Sequence, residues 1–179
     1  MFDSAFGLPL HVLVIHAVVV FVPLTVLGAL GYAVVPRWRW LLRWPVLLGA
    51  AASLGSAFVA KQSGYSFFQQ LGAPSLAKAH EDQGQLLVWV LLGFFVVVAA
   101  ATFTLSGPTR LVNGRQYPGA ARPVQLVVAV VLVAAALVAG VQVVRTGDSG
   151  ARAVWGAAPS IGPAVPTHPG GDVASVRSA

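Results

Sequence analysis

Four histidines are the residues of this chain best suited to binding chemistry, and three of them flank long apolar segments. His11 and His16 stand five residues apart in Leu8-Pro9-Leu10-His11-Val12-Leu13-Val14-Ile15-His16, and His80 opens His80-Glu81-Asp82-Gln83-Gly84-Gln85. His168 lies in a Pro- and Gly-rich terminal stretch and is expected to be solvated. Neutral imidazole is a ligand for haem iron, zinc and copper. Three readings stay open. In one, two rings hold haem b between facing helices, with His16 and His80 as ligands and His11 as the alternative. In another, His11, His16, His80 and Glu81 hold a divalent metal such as zinc or copper. In the third, the rings are interfacial polar groups bonded to backbone, and no cofactor is bound. Asp148 is a candidate to accept a hydrogen bond from one of these rings and fix its tautomer. Pairing of Asp148 with Arg145 or Arg152 competes with that role.

Other chemistries find little support. Cysteine is absent, which excludes disulfides, thiolate metal sites, iron–sulfur clusters and covalently attached haem within the chain. Ser63, His80 and Asp82 are present, but no nucleophile elbow surrounds the serine. There is no phosphate-binding loop, dinucleotide fingerprint or zincin motif. The expectation is a non-catalytic protein.

The elements that must position the histidines are apolar. Of 179 residues, 57% are hydrophobic and 9% charged, with mean hydropathy +0.80, against about 25% charged in an ordinary soluble domain. Four apolar stretches, at 10–35, 44–60, 86–105 and 123–144, are each long enough for a bilayer core of about 30 Å, which takes about 20 helical residues. The fold expected is all-α, a four-transmembrane-helix bundle occupying residues 1–155. The first stretch follows Asp3 without a basic leader and is expected to remain as a true span. Residues 156–179, rich in Pro, Gly and small side chains, are expected to form a flexible tail.

Charge orients the bundle. Arg37, Arg39 and Arg43 fall between the first two stretches, and Arg110, Arg115 and Arg122 between the last two, with no acidic residue in either segment. The positive-inside rule puts both segments in the cytoplasm, so both termini and the 61–85 connection are extracytoplasmic. Trp38, Trp40 and Trp44 interleave with the first arginine set, as in an aromatic belt. The formal charge of +6 is thereby assigned to membrane orientation, and no nucleic-acid partner is expected. With this orientation His11, His16 and His80 share the outer face. A rise of about 1.5 Å per residue sets His11 and His80 level, with His16 one to two turns deeper and about 140° around the helix from His11.

Small-residue rows at Gly49, Ser53 and Ala57, at Ala52, Ser56 and Ala60, and at Ala136 and Gly140 suit close helix packing. Pro23 is expected to loosen the first helix, and Gly147-Asp148-Ser149-Gly150 reads as a turn. No repeat of 20–50 residues stands out.

Leu8-Pro9-Leu10-His11 with His16, His80-Glu81 before the third stretch, and Gly147-Asp148-Ser149-Gly150-Ala151 with Trp155 after the fourth together resemble the bacterial membrane family catalogued as domain of unknown function 2231. The resemblance spans about Leu8 to Trp155. Ala17 departs from it, because an aromatic commonly follows the second histidine in that family. The resemblance implies a four-helix integral protein, sometimes associated with redox or haem-related proteins, and assigns no activity. The expected setting is the bacterial cytoplasmic membrane. The expected partners are the lipid bilayer and other membrane or redox proteins.

Overall fold

A computed structural model describes residues 4–5, 8–70, 75–108, 116–117 and 119–155. Four helices carry the fold: α1 (Leu10–Val34), α2 (Arg39–Gln70), α3 (Ser75–Thr104) and α4 (Arg122–Trp155). All four are long and apolar enough to cross a membrane. In lipid no water satisfies a backbone N–H or C=O, and the helix meets that demand within each segment. Short pairings of two residues each, Ser4–Ala5 with Leu8–Pro9 and Gly107–Pro108 with Gln116–Tyr117, tuck the chain in at the start of α1 and after α3. The expected tail at 156–179 lies outside the described residues.

The helices pack α1 on α2, α2 on α3, α3 on α4 and α4 on α1, so α1 and α3 face each other across the diagonal. The axis is filled by Val22, Ala29, Leu91, Phe94, Val98, Leu132, Ala136 and Ala139, all buried. Leu24, Leu27, Phe103 and Leu126 are exposed on the outside, where lipid is their solvent. The Gly49, Ser53, Ala57 row faces α1: Ser53 Oγ lies 3.4 Å from Thr25 Oγ1, and a Cβ on Gly49 would meet Thr25 Oγ1 at 2.5 Å. Ala136 is fully buried, and a Cβ on Gly140 would sit 3.6 Å from Val26. Helix α1 runs unbroken through Pro23.

One end of the bundle holds Arg37, Arg39, Arg43 and Arg122. Arg39 is buried, with its guanidinium donating to the carbonyls of Tyr32 (3.1 Å), Ala33 (3.1 Å) and Ser106 (2.9 Å). Those carbonyls end α1 and follow α3, so one side chain caps two helices whose last carbonyls lack intrahelical donors. Tyr32 is buried beside it and donates to Ala101 O at 3.2 Å. Gln125 accepts from Ser106 N and Oγ and donates to Ala120 O, tying the end of α3 to the start of α4. Trp38, Trp40 and Trp44 are exposed here, with Arg37 over the Trp38 ring and Arg43 over the Trp44 ring. The opposite end holds His11, His16 and His80.

Candidate functional site

At the histidine end every helix contributes. His11, in the first turn of α1, crosses to α2, where its Nδ1 lies 2.9 Å from Ala60 O. His80, in the second turn of α3, crosses to α4, where its Nδ1 lies 3.1 Å from Thr146 O and 3.2 Å from Ser149 Oγ. A carbonyl oxygen only accepts, so each Nδ1 carries the proton. In the neutral ring this leaves the lone pair on Nε2. The two imidazoles meet across the bundle diagonal, with ring centres 6.3 Å apart and planes at 73°.

Both rings are seated on glycine. A Cβ on Gly64 would stand 2.9 Å from both Cε1 and Nδ1 of His11, and 3.7 Å from its Nε2. A Cβ on Gly150 would stand 3.1 Å from Cε1, 3.2 Å from Nδ1 and 3.6 Å from Nε2 of His80. In each case the glycine lies four residues after the carbonyl that the ring bonds. A side chain at position 64 would push the His11 ring edge off the carbonyl, and one at position 150 would crowd the His80 edge by a few tenths of an ångström. Hydrogen leaves both approaches open.

A polar ladder continues below His80. Gln142, buried on α4, donates through Nε2 to Gln83 Oε1 (2.8 Å) and Gln83 O (3.3 Å) on α3. Thr146 Oγ1 donates to Gln142 O at 2.9 Å and reaches Gln83 O at 3.3 Å. Ser149 Oγ donates to Thr146 O at 2.8 Å, which leaves its lone pairs to accept from His80 Nδ1. Beneath the ladder Leu91, Leu132, Ala136 and Ala139 are fully buried, closing the axis with apolar side chains.

A family model described as "Predicted membrane protein (DUF2231)" matches residues 7–160. The chain belongs to this family. No curated protein and no solved structure matches it. In this DUF2231 chain the Gly147-Asp148-Ser149-Gly150 stretch, read from the sequence as a turn, continues helix α4. Its members have separate work: Ser149 bonds His80, Gly150 makes room for it, and Asp148 pairs with Arg152 at 2.9 Å on the exposed side. Of the two roles open to Asp148 from the sequence, the structure shows the pairing with Arg152, and the side-chain hydrogen bond to His80 is made by its neighbour Ser149.

The DUF2231 histidines do not gather as one cluster. His11 and His80 come together. His16 is exposed on the outside of α1, its Nδ1 donating to Val12 O in its own helix at 2.7 Å, because five residues carry it to a different face. The ring that faces His80 is thus His11, where the sequence reading put His16 first. Glu81 bonds Lys78 at 3.2 Å, and Asp82 bonds the same lysine at 2.9 Å. Among the described residues no three His, Cys, Asp or Glu side chains assemble as a metal cage. The sequence reading assigns no role to Gly64 or to the Gln83–Gln142 pair, and takes Ser149 and Gly150 as a turn and family motif without placing them against His80. The one available signal was the Ser-Gly dipeptide after both the second and the fourth apolar stretch.

Proposed function

We propose that this protein is a small, non-catalytic subunit of the bacterial cytoplasmic membrane, and that it holds a metal centre, haem b first, through Nε2 of His11 and His80. The observation carrying this reading is the facing pair of imidazoles, each with its Nδ1–H given to a backbone carbonyl. Metal-ligating histidines almost always donate their other ring nitrogen in this way. The ring centres lie 6.3 Å apart with planes at 73°, close enough for His11 and His80 to be the residues that would hold one bound group between them. The donor count favours haem over zinc. Structural zinc takes four protein ligands and catalytic zinc three, whereas a porphyrin supplies its own four nitrogens and asks the protein for two. Bound haem would supply one-electron transfer. The chain's own residues fix ring orientation, tautomer and the apolar floor under the site.

The arginine distribution supports an orientation with the histidine end outside the cytoplasm, where a redox partner would meet it. The test is the full chain expressed in haem-replete cells, purified in detergent, and measured by visible absorption, pyridine haemochrome and elemental analysis. A Soret band lost in His11→Asn and His80→Asn supports haem. A stoichiometric metal without porphyrin moves the site to the metal alternative. Neither haem nor metal overturns the proposal.

A second reading has its own observation. The two Nδ1 bonds tie α1 to α2 and α3 to α4, which is what a cofactor-free structural or assembly protein would use histidines for. That reading predicts normal folding and partner association in the Asn variants and no bound group in the parent protein.

A further inference from the structure

We infer that Ser63-Gly64 on α2 and Ser149-Gly150 on α4 are two copies of one imidazole seat, which holds His11 and His80 in the Nδ1–H tautomer and turns both Nε2 atoms away from the backbone. This concerns the same histidine pair but does not depend on what the pair binds. The two hairpins carry the device in the same order. The first helix of each gives a histidine. The second gives an acceptor carbonyl, then a serine three residues later and a glycine four residues later: Ala60, Ser63, Gly64 and Thr146, Ser149, Gly150.

The geometry repeats as well as the spacing. Both serine hydroxyls turn back along their own helix: Ser149 Oγ donates to Thr146 O at 2.8 Å, and Ser63 Oγ donates to Val59 O at 2.9 Å with Ala60 O at 3.2 Å. In both, the glycine lies under the Cε1–Nδ1 edge of the ring, with Nε2 the more distant nitrogen. A helical carbonyl is already engaged by the N–H four residues on, and its remaining lone pair faces past the side chain of that residue. With glycine there, an imidazole from the neighbouring helix can reach the lone pair. Which ring nitrogen keeps the proton is set by the bond the other nitrogen makes, so the seat selects the tautomer. At the second seat the hydroxyl also accepts from the ring, since Ser149 Oγ is 3.2 Å from His80 Nδ1. The glycines and Ser149 are positioning residues: they act through the imidazoles and need touch no ligand.

The test uses the full chain labelled with ¹⁵N-histidine, purified in neutral detergent and stripped of metal and haem. Long-range ¹H–¹⁵N correlation spectra report the protonated nitrogen of each ring, and single His→Asn variants assign the four residues. The expected result is Nδ1–H for His11 and His80. Gly64→Ala should convert His11, and Gly150→Ala His80, to mixed or Nε2–H populations, each leaving the other ring unchanged. Ser149→Ala should move His80 only. Gly147→Ala, where an added Cβ meets nothing within 4 Å, should move neither. Wild-type spectra with Nε2–H at His11 or His80 overturn the inference without any variant having to fold. So does a Gly64→Ala or Gly150→Ala protein that keeps both rings Nδ1-protonated. A chain with these tautomers that takes up no haem or metal would sink the proposed function and leave the seats intact.

Discussion

Each imidazole at the histidine end offers two nitrogens with different partners, and amide substitutions can separate them. Asparagine places its side-chain N–H₂ near the position of Nδ1, so it can still donate to Thr146 O or Ala60 O while offering nothing at Nε2. His80→Asn should therefore unfold in detergent close to the parent, and His80→Leu should lose about 1 kcal/mol, the usual net worth of such a bond. Both should lose any bound group; a binding defect confined to the Leu variant would mean that packing, not Nε2, is what matters. The seats give a second contrast. Gly147 and Gly150 lie one turn apart in the same helix, yet an added Cβ meets nothing at the first and the His80 ring at 3.1 Å at the second. Gly147→Ala should gain up to about 1 kcal/mol from helix propensity. Gly150→Ala should cost about 1–2 kcal/mol net, as overpacking outweighs that gain. Thermal unfolding of the two variants should move in opposite directions. The histidines themselves were legible in the sequence, because ionisable groups at the ends of apolar stretches stand out. Gly64 and Gly150 were not, because a glycine under a ring looks like any other until the ring's helix is placed beside it.

Helices were legible by apolar length and less so by their ends. The four spans all form, but α2 and α4 begin at Arg39 and Arg122, ahead of the apolar residues, and α4 runs on to Trp155. Local propensity argues for a turn at Gly147 to Gly150. Packing on α3 overrides it, with Thr146 and Ser149 hydroxyls bonded to carbonyls one turn or less behind them and His80 lying against Gly150. The small-residue row of α2 was readable because close helix approach demands it, and Gly49 against Thr25 bears that reading out. Gly49→Ala should therefore destabilise the α1–α2 pair, whereas Gly55→Ala, with nothing within 4 Å, should not. Arg39 was read only as one positive charge among several. Its burial and its three carbonyl partners give it a different weight from exposed Arg37. Hydrogen bonds to a charged donor are worth about 1.5–3 kcal/mol each. Arg39→Ala should cost about 3 kcal/mol or more, and Arg39→Lys should recover part of it, since an ammonium cannot span the fork. Arg37→Ala should leave detergent unfolding unchanged. Equal losses at positions 37 and 39 would contradict the capping role.

At the scale of the molecule the two ends differ in charge balance. Among the described residues the histidine end mixes Lys61, Lys78, Arg145 and Arg152 with the carboxylates Glu81, Asp82 and Asp148, while Arg37, Arg39, Arg43 and Arg122 sit at the other end without an acid. The segment between α3 and α4 adds Arg110 and Arg115 to the arginine side by sequence. Orientation in the membrane follows lysine and arginine in short segments near the helix ends and responds little to acids, so the weight falls on the arginines. The absence of cysteine makes the proposed orientation directly testable with single-cysteine variants. Ala79 is exposed at the start of α3, and Ala121 is exposed just before α4; neither side chain bonds a partner that the substitution would break. In intact spheroplasts a membrane-impermeant maleimide should label Ala79→Cys, and Ala121→Cys should label only after permeabilisation. The reverse pattern would turn the histidine pair toward the cytoplasm. A haem held there would exchange electrons with cytoplasmic donors, and the apolar layer formed by Leu91, Leu132, Ala136 and Ala139 would then separate it from every partner on the outer side.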